Sequence, residues 1–252
     1  MTTKAQAPDA RISDARSGDT ASRTTGEHHH DHRDVTGGWL RPAVFGVTDG
    51  LVSNTSLIAG VAGAHVSAHN VILTGLAGLA AGAFSMATGE YVSVASQSEL
   101  TLAEIEIEKE EIRRVPKAEE AELAAIYVGR GVEPELAKEV ARQLSKDPEQ
   151  VWRVHAREEL GVDPDDLPSP WTAAGSSFVA FGLGAFLPLL PYLLGATSLT
   201  VSIVLAGAAL FGAGAAVSRF TNRSLLYAGG RQLALGGAAA AVTYLIGSAV
   251  GS

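Results

Sequence analysis

Residues 84–112 read FSMATGEYVSVASQSELTLAEIEIEKEEI. The stretch opens as apolar, membrane-like sequence and closes as a run of glutamates, with no loop cluster between. Taken alone, the alternation from Glu104 to Glu108 suggests a strand. Its continuity with the apolar half, and the helix preference of Glu, Lys and Arg, favour one helix instead. At 1.5 Å per residue a helix over 71–114 would be about 65 Å long, with roughly half of it projecting from a bilayer. On that helix Glu104, Glu108 and Glu111 fall on one face, and Ile105 and Ile112 share another.

The rest of the 252-residue chain divides along the same line. It is 46% hydrophobic and only 6% aromatic, and the mean hydropathy of +0.17 averages two unlike populations. Residues 99–166 hold 19 acidic and 10 basic residues, a net of −9, while the remainder holds 8 and 9. The whole negative excess of the −8 chain therefore sits in one internal block. Such a block argues against nucleic acid and for cations or basic partners. Cysteine is absent, so any metal must use oxygen, imidazole or thioether ligands. Residues 1–38 are polar, lack the apolar core of a secretory signal, and have the composition of a disordered tail. Within them His28–His32 reads either as a metal-collecting tract or as solvated tail.

Five apolar stretches are long enough to cross a hydrocarbon core of about 30 Å. They cover about 44–65, 71–95, 171–194, 199–217 and 225–250. Small residues recur in them, as in Gly46-xxx-Gly50 and Gly78-xxx-Gly82, and let helix backbones approach closely. Arg41, Arg219, Arg223 and Arg231 lie at one end of the spans, and the loops HVSAHN and LGATSL at the other hold no Lys or Arg. The positive-inside bias places the N-terminus and the acidic block in the cytosol.

The acidic block reads as three further helices. Pro116 ends the long helix, and Gly129 and Gly131 end the next, which starts at Lys117. Pro134 opens a second helix running to Leu144. Asp147-Pro-Glu-Gln150 caps a third, expected to end at Gly161. The sequence thus predicts an all-α membrane protein: five transmembrane helices with a cytosolic three-helix acidic metal-binding domain inserted between helices two and three. Its parts are the tail 1–38, spans one and two in 39–98, the acidic domain 99–168, and spans three to five in 169–252.

Candidate ligands follow from helical spacing. Glu108 and Glu111 are three apart, as are Glu119 and Glu122, so each pair lies side by side. Folded face to face, the two pairs would set four carboxylates around one cation. His155 lies three before Glu158 and four before Glu159. Oxygen ligands with one imidazole suit Fe²⁺, Mn²⁺ or Zn²⁺. Inside the spans, Asp49 and Glu90 are costly ionisable groups that mark an ion or proton path, and Met86, one turn before Glu90, adds a thioether. Thr48, Asn54 and Ser85 offer further oxygens. Pro188 and Pro191 either bend span three near its far end or terminate it.

The phrases GVTDGLVSN, SMATGEYVSVASQSE, EEIRRVPKAEEAEL and REELGV, in this order and with this layout of spans, resemble the vacuolar iron transporter family over residues 40–250. The resemblance implies a homodimer of five-span subunits that exchanges cytosolic Fe²⁺, and often Mn²⁺, for protons along a path between the subunits. It implies path roles for Asp49 and Met86, and cytosolic metal-binding roles for Glu108, Glu111, Glu119, Glu122 and Glu159. Where the family pattern has a methionine pair, this chain has His155 and Ala156, so His155 would stand in for a sulfur ligand. The membrane would be the plasma (inner) membrane in a bacterial cell or the vacuolar membrane in a eukaryotic one. The alternatives are a transporter whose main cargo is Mn²⁺, or a membrane-tethered di-iron carboxylate oxidoreductase. The second wants paired Glu-x-x-His motifs, and the acidic block has none.

Overall fold

Residue 84 begins the middle of the longest helix in the chain. The computed structural model describes residues 38–219, 221 and 223–251, all within one compact unit. The His28–His32 tract and nearly all of the tail assigned to 1–38 lie outside the described residues. Eight helices account for the regular structure among the described residues: α1 (Leu40–Gly63), α2 (Ala68–Arg114), α3 (Pro116–Gly129), α4 (Pro134–Leu144), α5 (Pro148–Glu158), α6 (Pro170–Leu193), α7 (Leu199–Val217) and α8 (Leu225–Gly251). Of these, α1, α2, α6, α7 and α8 are long and apolar enough to cross a membrane.

Local chemistry sets the boundaries. Proline at the first helical position opens α3, α4, α5 and α6, where its missing N–H costs nothing. The side chains of Glu133 and Asp147 accept from the N–H groups of Leu136 and Glu149, each at 2.9 Å, and cap α4 and α5. The third acidic helix, α5, stops at Glu158 rather than running to Gly161. Gly161 adopts φ +67, open to glycine without a Cβ penalty. Helix α6 continues through Pro188 and Pro191 to Leu193. Pro188 has no N–H for the Gly184 carbonyl, and the buried Asn54 amide donates to the neighbouring Ala185 carbonyl at 2.6 Å.

Helix α1 is the hub of the bundle and packs on α2, α6, α7 and α8. A Cβ on Gly46 would lie 2.9 Å from the Ser177 carbonyl oxygen, and one on Gly50 would press into the carbonyl of Phe181. On the opposite side, Gly60 and Gly247 bring α1 and α8 together. These contacts are backbone against backbone, the packing that small residues make possible in lipid.

Tyr91 of α2 packs against Trp171, the second residue of α6, with ring centroids 4.7 Å apart and the rings tilted by 58°. Trp39, just before α1, is exposed. Such aromatic residues mark a membrane–water boundary. From Tyr91 to Arg114 the unbroken α2 extends about 35 Å further. The cut at residue 99 assigned from the sequence therefore falls inside a continuous helix. Around the far end of α2, helices α3, α4 and α5 pack on a small core of Leu123, Ala124 and Ala141, joined by Tyr127, Leu144 and Val154.

Gly50→Ala should destabilise the bundle by about 1–3 kcal/mol, because the added methyl meets backbone that cannot yield. Gly175, with open space around its Cβ position, should tolerate the same change. Melting of the detergent-solubilised protein, followed by size-exclusion chromatography, separates the two outcomes.

Candidate metal centre

The projecting end of α2 carries Glu108, and what buries it is hydrophobic. On a helical wheel Glu108 lies about 60° from Ile105 and about 40° from Ile112. Burying Ile105 at 2% exposure carries Glu108 inward with it, while Glu104 and Glu111 stay exposed. The shared face of Glu104, Glu108 and Glu111 thus separates. Val115 and Pro116 turn the chain back, and Glu119 follows in the first turn of α3. Helix α5 supplies His155 from its last turn and Glu159 from its C-cap.

These four side chains converge. One ligand atom from each of Glu108, Glu119, His155 and Glu159 lies within 4.8 Å of all the others. His155 Nδ1 is 2.7 Å from Glu159 Oε1, 2.8 Å from Glu108 Oε1 and 4.0 Å from Glu119 Oε2. One N–H serves only one of these oxygens well, and the aligned bond goes to Glu159. The buried Glu108 Oε1, although close to the ring nitrogen, makes no aligned hydrogen bond, and His155 Nε2 has no partner either. His155 is fully buried, and the side chains of Glu108 and Glu119 are only 9% exposed. The arrangement is short of positive charge, which a divalent cation would supply.

Burial pushes the Glu108 carboxyl up to about 7, with the Glu159 carboxylate adding to the effect, His155 opposing it, and Glu119 and Glu111 reinforcing it. This group lies well beyond the apolar stretch of α2. Burial also raises Glu119, helped chiefly by Glu122. The expected square of Glu108, Glu111, Glu119 and Glu122 is therefore arranged differently. Glu108 and Glu119 stand with His155 and Glu159, while Glu111 and Glu122 are exposed flanking charges.

Two features escaped the spacing argument. Glu158 points to α3, where it pairs with Arg130 and accepts from the Tyr127 hydroxyl at 3.2 Å. This clamp holds α5 so that His155 faces inward. Arg153 and Arg157 pair with Asp165 and Asp163 and tie the linker before α6 to α5. Only the alternation of charge along α5 hints at either. Ala156 is fully buried and offers no ligand atom.

In the bundle, Ser53 Oγ donates to Asp49 Oδ1 at 2.7 Å. Met86 packs against Ala83, Phe181 and Ala185. Phe181 touches Gly50 on one side and fills the space beside Gly82 on the other, so Asp49 and Met86 lie at a similar depth. Glu90 sits one residue before Tyr91, at the level where α6 begins. Among the described residues no hydrogen bond joins Asp49 to Glu90.

Comparison with known proteins adds a separate line of information. A family model described as the VIT family matches residues 40–248. Vacuolar iron transporter 1 of Arabidopsis thaliana is 34% identical over 227 residues, covering 89% of this chain and 91% of that protein. A vacuolar iron transporter of Acanthamoeba castellanii is 39% identical over 222 residues, covering 84% and 78% respectively. Vacuolar iron transporter 1 of Eucalyptus grandis is 31% identical over 229 residues, covering 90% and 92%.

Between pH about 4.5 and about 7 the folded chain holds a proton on Glu108 that the unfolded chain has lost. The stability contributed by this group therefore falls as pH rises through that window. Glu108→Gln should raise metal-free stability at pH 7.5, on the order of 2 kcal/mol, and should lose most of the stabilisation that Mn²⁺ gives the parent chain. Thermal melts with and without Mn²⁺ check both parts. An unchanged metal-free melt together with a full Mn²⁺ shift would count against the site.

Proposed function

The chain belongs to the VIT family, and on that premise we propose that it moves Fe²⁺ out of the cytosol in exchange for protons. The observation that carries this reading is the convergence of Glu108, Glu119, His155 and Glu159 at the projecting end of α2. Three carboxylates and one imidazole suit a divalent first-row metal. Glu111 and Glu122 raise the local negative potential and draw cations toward the group.

The proposed path runs from this cytosolic domain to the bundle. Glu90 stands at its mouth, with Asp49 and Met86 deeper. Asp49, Ser53 and Leu57 follow at i, i+4 spacing along α1; Ser53 and Leu57 are exposed and Asp49 is partly so. A carboxylate on a lipid-facing stripe is expensive. A second copy against this stripe would cover it, which supports a homodimer with the path between subunits. Protonation neutralises a carboxylate and weakens its hold on a metal, so protons entering from the far side would release the ion there. The same orientation loads a vacuole in a eukaryotic cell and exports metal across a bacterial plasma membrane.

Mn²⁺ is a second cargo reading, favoured by one observation. The group of Glu108, Glu119, His155 and Glu159 contains no sulfur. A set of carboxylate oxygens with one imidazole serves Mn²⁺ as well as Fe²⁺.

In proteoliposomes with an imposed pH gradient, Asp49→Ala should abolish Fe²⁺ uptake. Glu108→Gln with Glu119→Gln should raise KM about tenfold or more, as loss of roughly 1.4 kcal/mol of binding implies, while leaving kcat nearly intact. Full proton-driven uptake by Asp49→Ala would refute the assigned path. Competition by Mn²⁺ in the same vesicles ranks the two cargoes.

A further inference from the structure

Helices α1 and α8 touch backbone to backbone near Gly60 and Gly247 and leave a wedge at the opposite end. It is a cavity of about 420 Å³ lined by Leu40, Arg41, Val44, Phe45, Thr48 and Gln232. We propose that this wedge binds one anionic phospholipid, with its phosphate on Arg41 and Gln232 and an acyl chain along Val44 and Phe45.

Charge is the first argument. Arg41 is exposed and has no carboxylate partner among the described residues. From Pro170 to the C-terminus the chain contains no Asp or Glu, while Arg219, Arg223 and Arg231 lie at the same end of the bundle as Arg41. Helix α2, which carries the acidic run, does not pack on α8. The wedge is thus a locally cationic site on a chain of net charge −8. An unpaired guanidinium also repels metal ions, so the wedge suits an anion and not the transported cation.

Shape and depth identify the anion as a lipid. Arg41 is the second residue of α1, at the level of the boundary marked by Trp39. Thr48 lies about 10 Å deeper along the helix, past a headgroup region of about 5–7 Å and at the level of the acyl chains. The wall between is apolar, and Phe45 is 59% exposed. A soluble phosphate would leave that wall uncovered, whereas a phospholipid presents an anionic head and an apolar chain in this order. The Gln232 side chain makes no hydrogen bond among the described residues and the residue is only partly exposed, leaving its amide free to donate to a phosphate oxygen.

The test is native mass spectrometry of the full-length protein in detergent with added phosphatidylglycerol, phosphatidylcholine or inorganic phosphate. The parent chain and Arg41→Lys should retain one phosphatidylglycerol per subunit and no phosphatidylcholine. Arg41→Gln should weaken retention about fivefold, the effect of one basic residue at an anionic surface, and Gln232→Leu should weaken it independently if Arg41→Gln fails to fold. The chain has no cysteine, so Val44→Cys reports cleanly on a second copy. Undiminished retention in both variants overturns the proposal. Displacement of the lipid by millimolar inorganic phosphate overturns it in favour of a free-anion site. Quantitative Val44→Cys cross-linking between subunits overturns it in favour of a protein-filled wedge.

Discussion

Three carboxylates gathered around one buried imidazole repel one another, and the fold tolerates this only because other forces hold the four side chains in place. Ile105 carries Glu108 inward as it buries its own side chain. Pro116 turns the chain sharply enough to bring Glu119 beside it. The Arg130–Glu158–Tyr127 clamp fixes α5 and with it His155 and Glu159. None of these supporting contacts needs a metal. What remains is a cluster of acidic groups in which burial first, and the neighbouring carboxylates second, raise the Glu108 carboxyl, and one Glu108 oxygen is left unsatisfied.

Helix α2 connects this cluster to the bundle. Its 47 residues run without a break from Ala68 to Arg114. One end shares Phe181 with α1 and α6 at the depth of Asp49 and Met86, and the other end carries Glu108. The linker from α5 into α6 is held by Arg153 and Arg157. On the proposed function, metal capture at the tip would therefore bear on two helices that pack against α1. The glycines of α1 keep those packings tight, so a displacement of α2 or α6 would reach the face that carries Asp49 and Ser53.

Much of this was legible in the sequence, because its signals are strong and local. Span lengths, the proline starts of α4 and α5 and the continuity of α2 through EIEIE all rest on hydropathy or backbone chemistry that acts within a few residues, whereas Pro116, expected as a helix end, opens α3. The pairing of ligands was less legible. Spacing of three or four residues shows which carboxylates are neighbours on one helix, and it is silent on which helix faces turn inward. Glu108 was drawn in by Ile105 while Glu111 was not, and Glu159 rather than Glu122 completed the group, because α5 crosses α2 at that level. Ser53 as the partner of Asp49 was within reach of an i, i+4 reading. The Arg130–Glu158 clamp depends on how α3 meets α5, which no local pattern encodes.

The central claim is that Glu108, Glu119, His155 and Glu159 form the tight metal site of this chain. X-ray absorption at the iron edge, on full-length protein with one equivalent of Fe²⁺, tests it most directly. The account predicts a first shell of oxygen and nitrogen only, with outer-shell scattering from one imidazole that disappears in His155→Ala. A sulfur shell, which would put the ion at Met86, or an imidazole-free shell unchanged by that substitution, would contradict it.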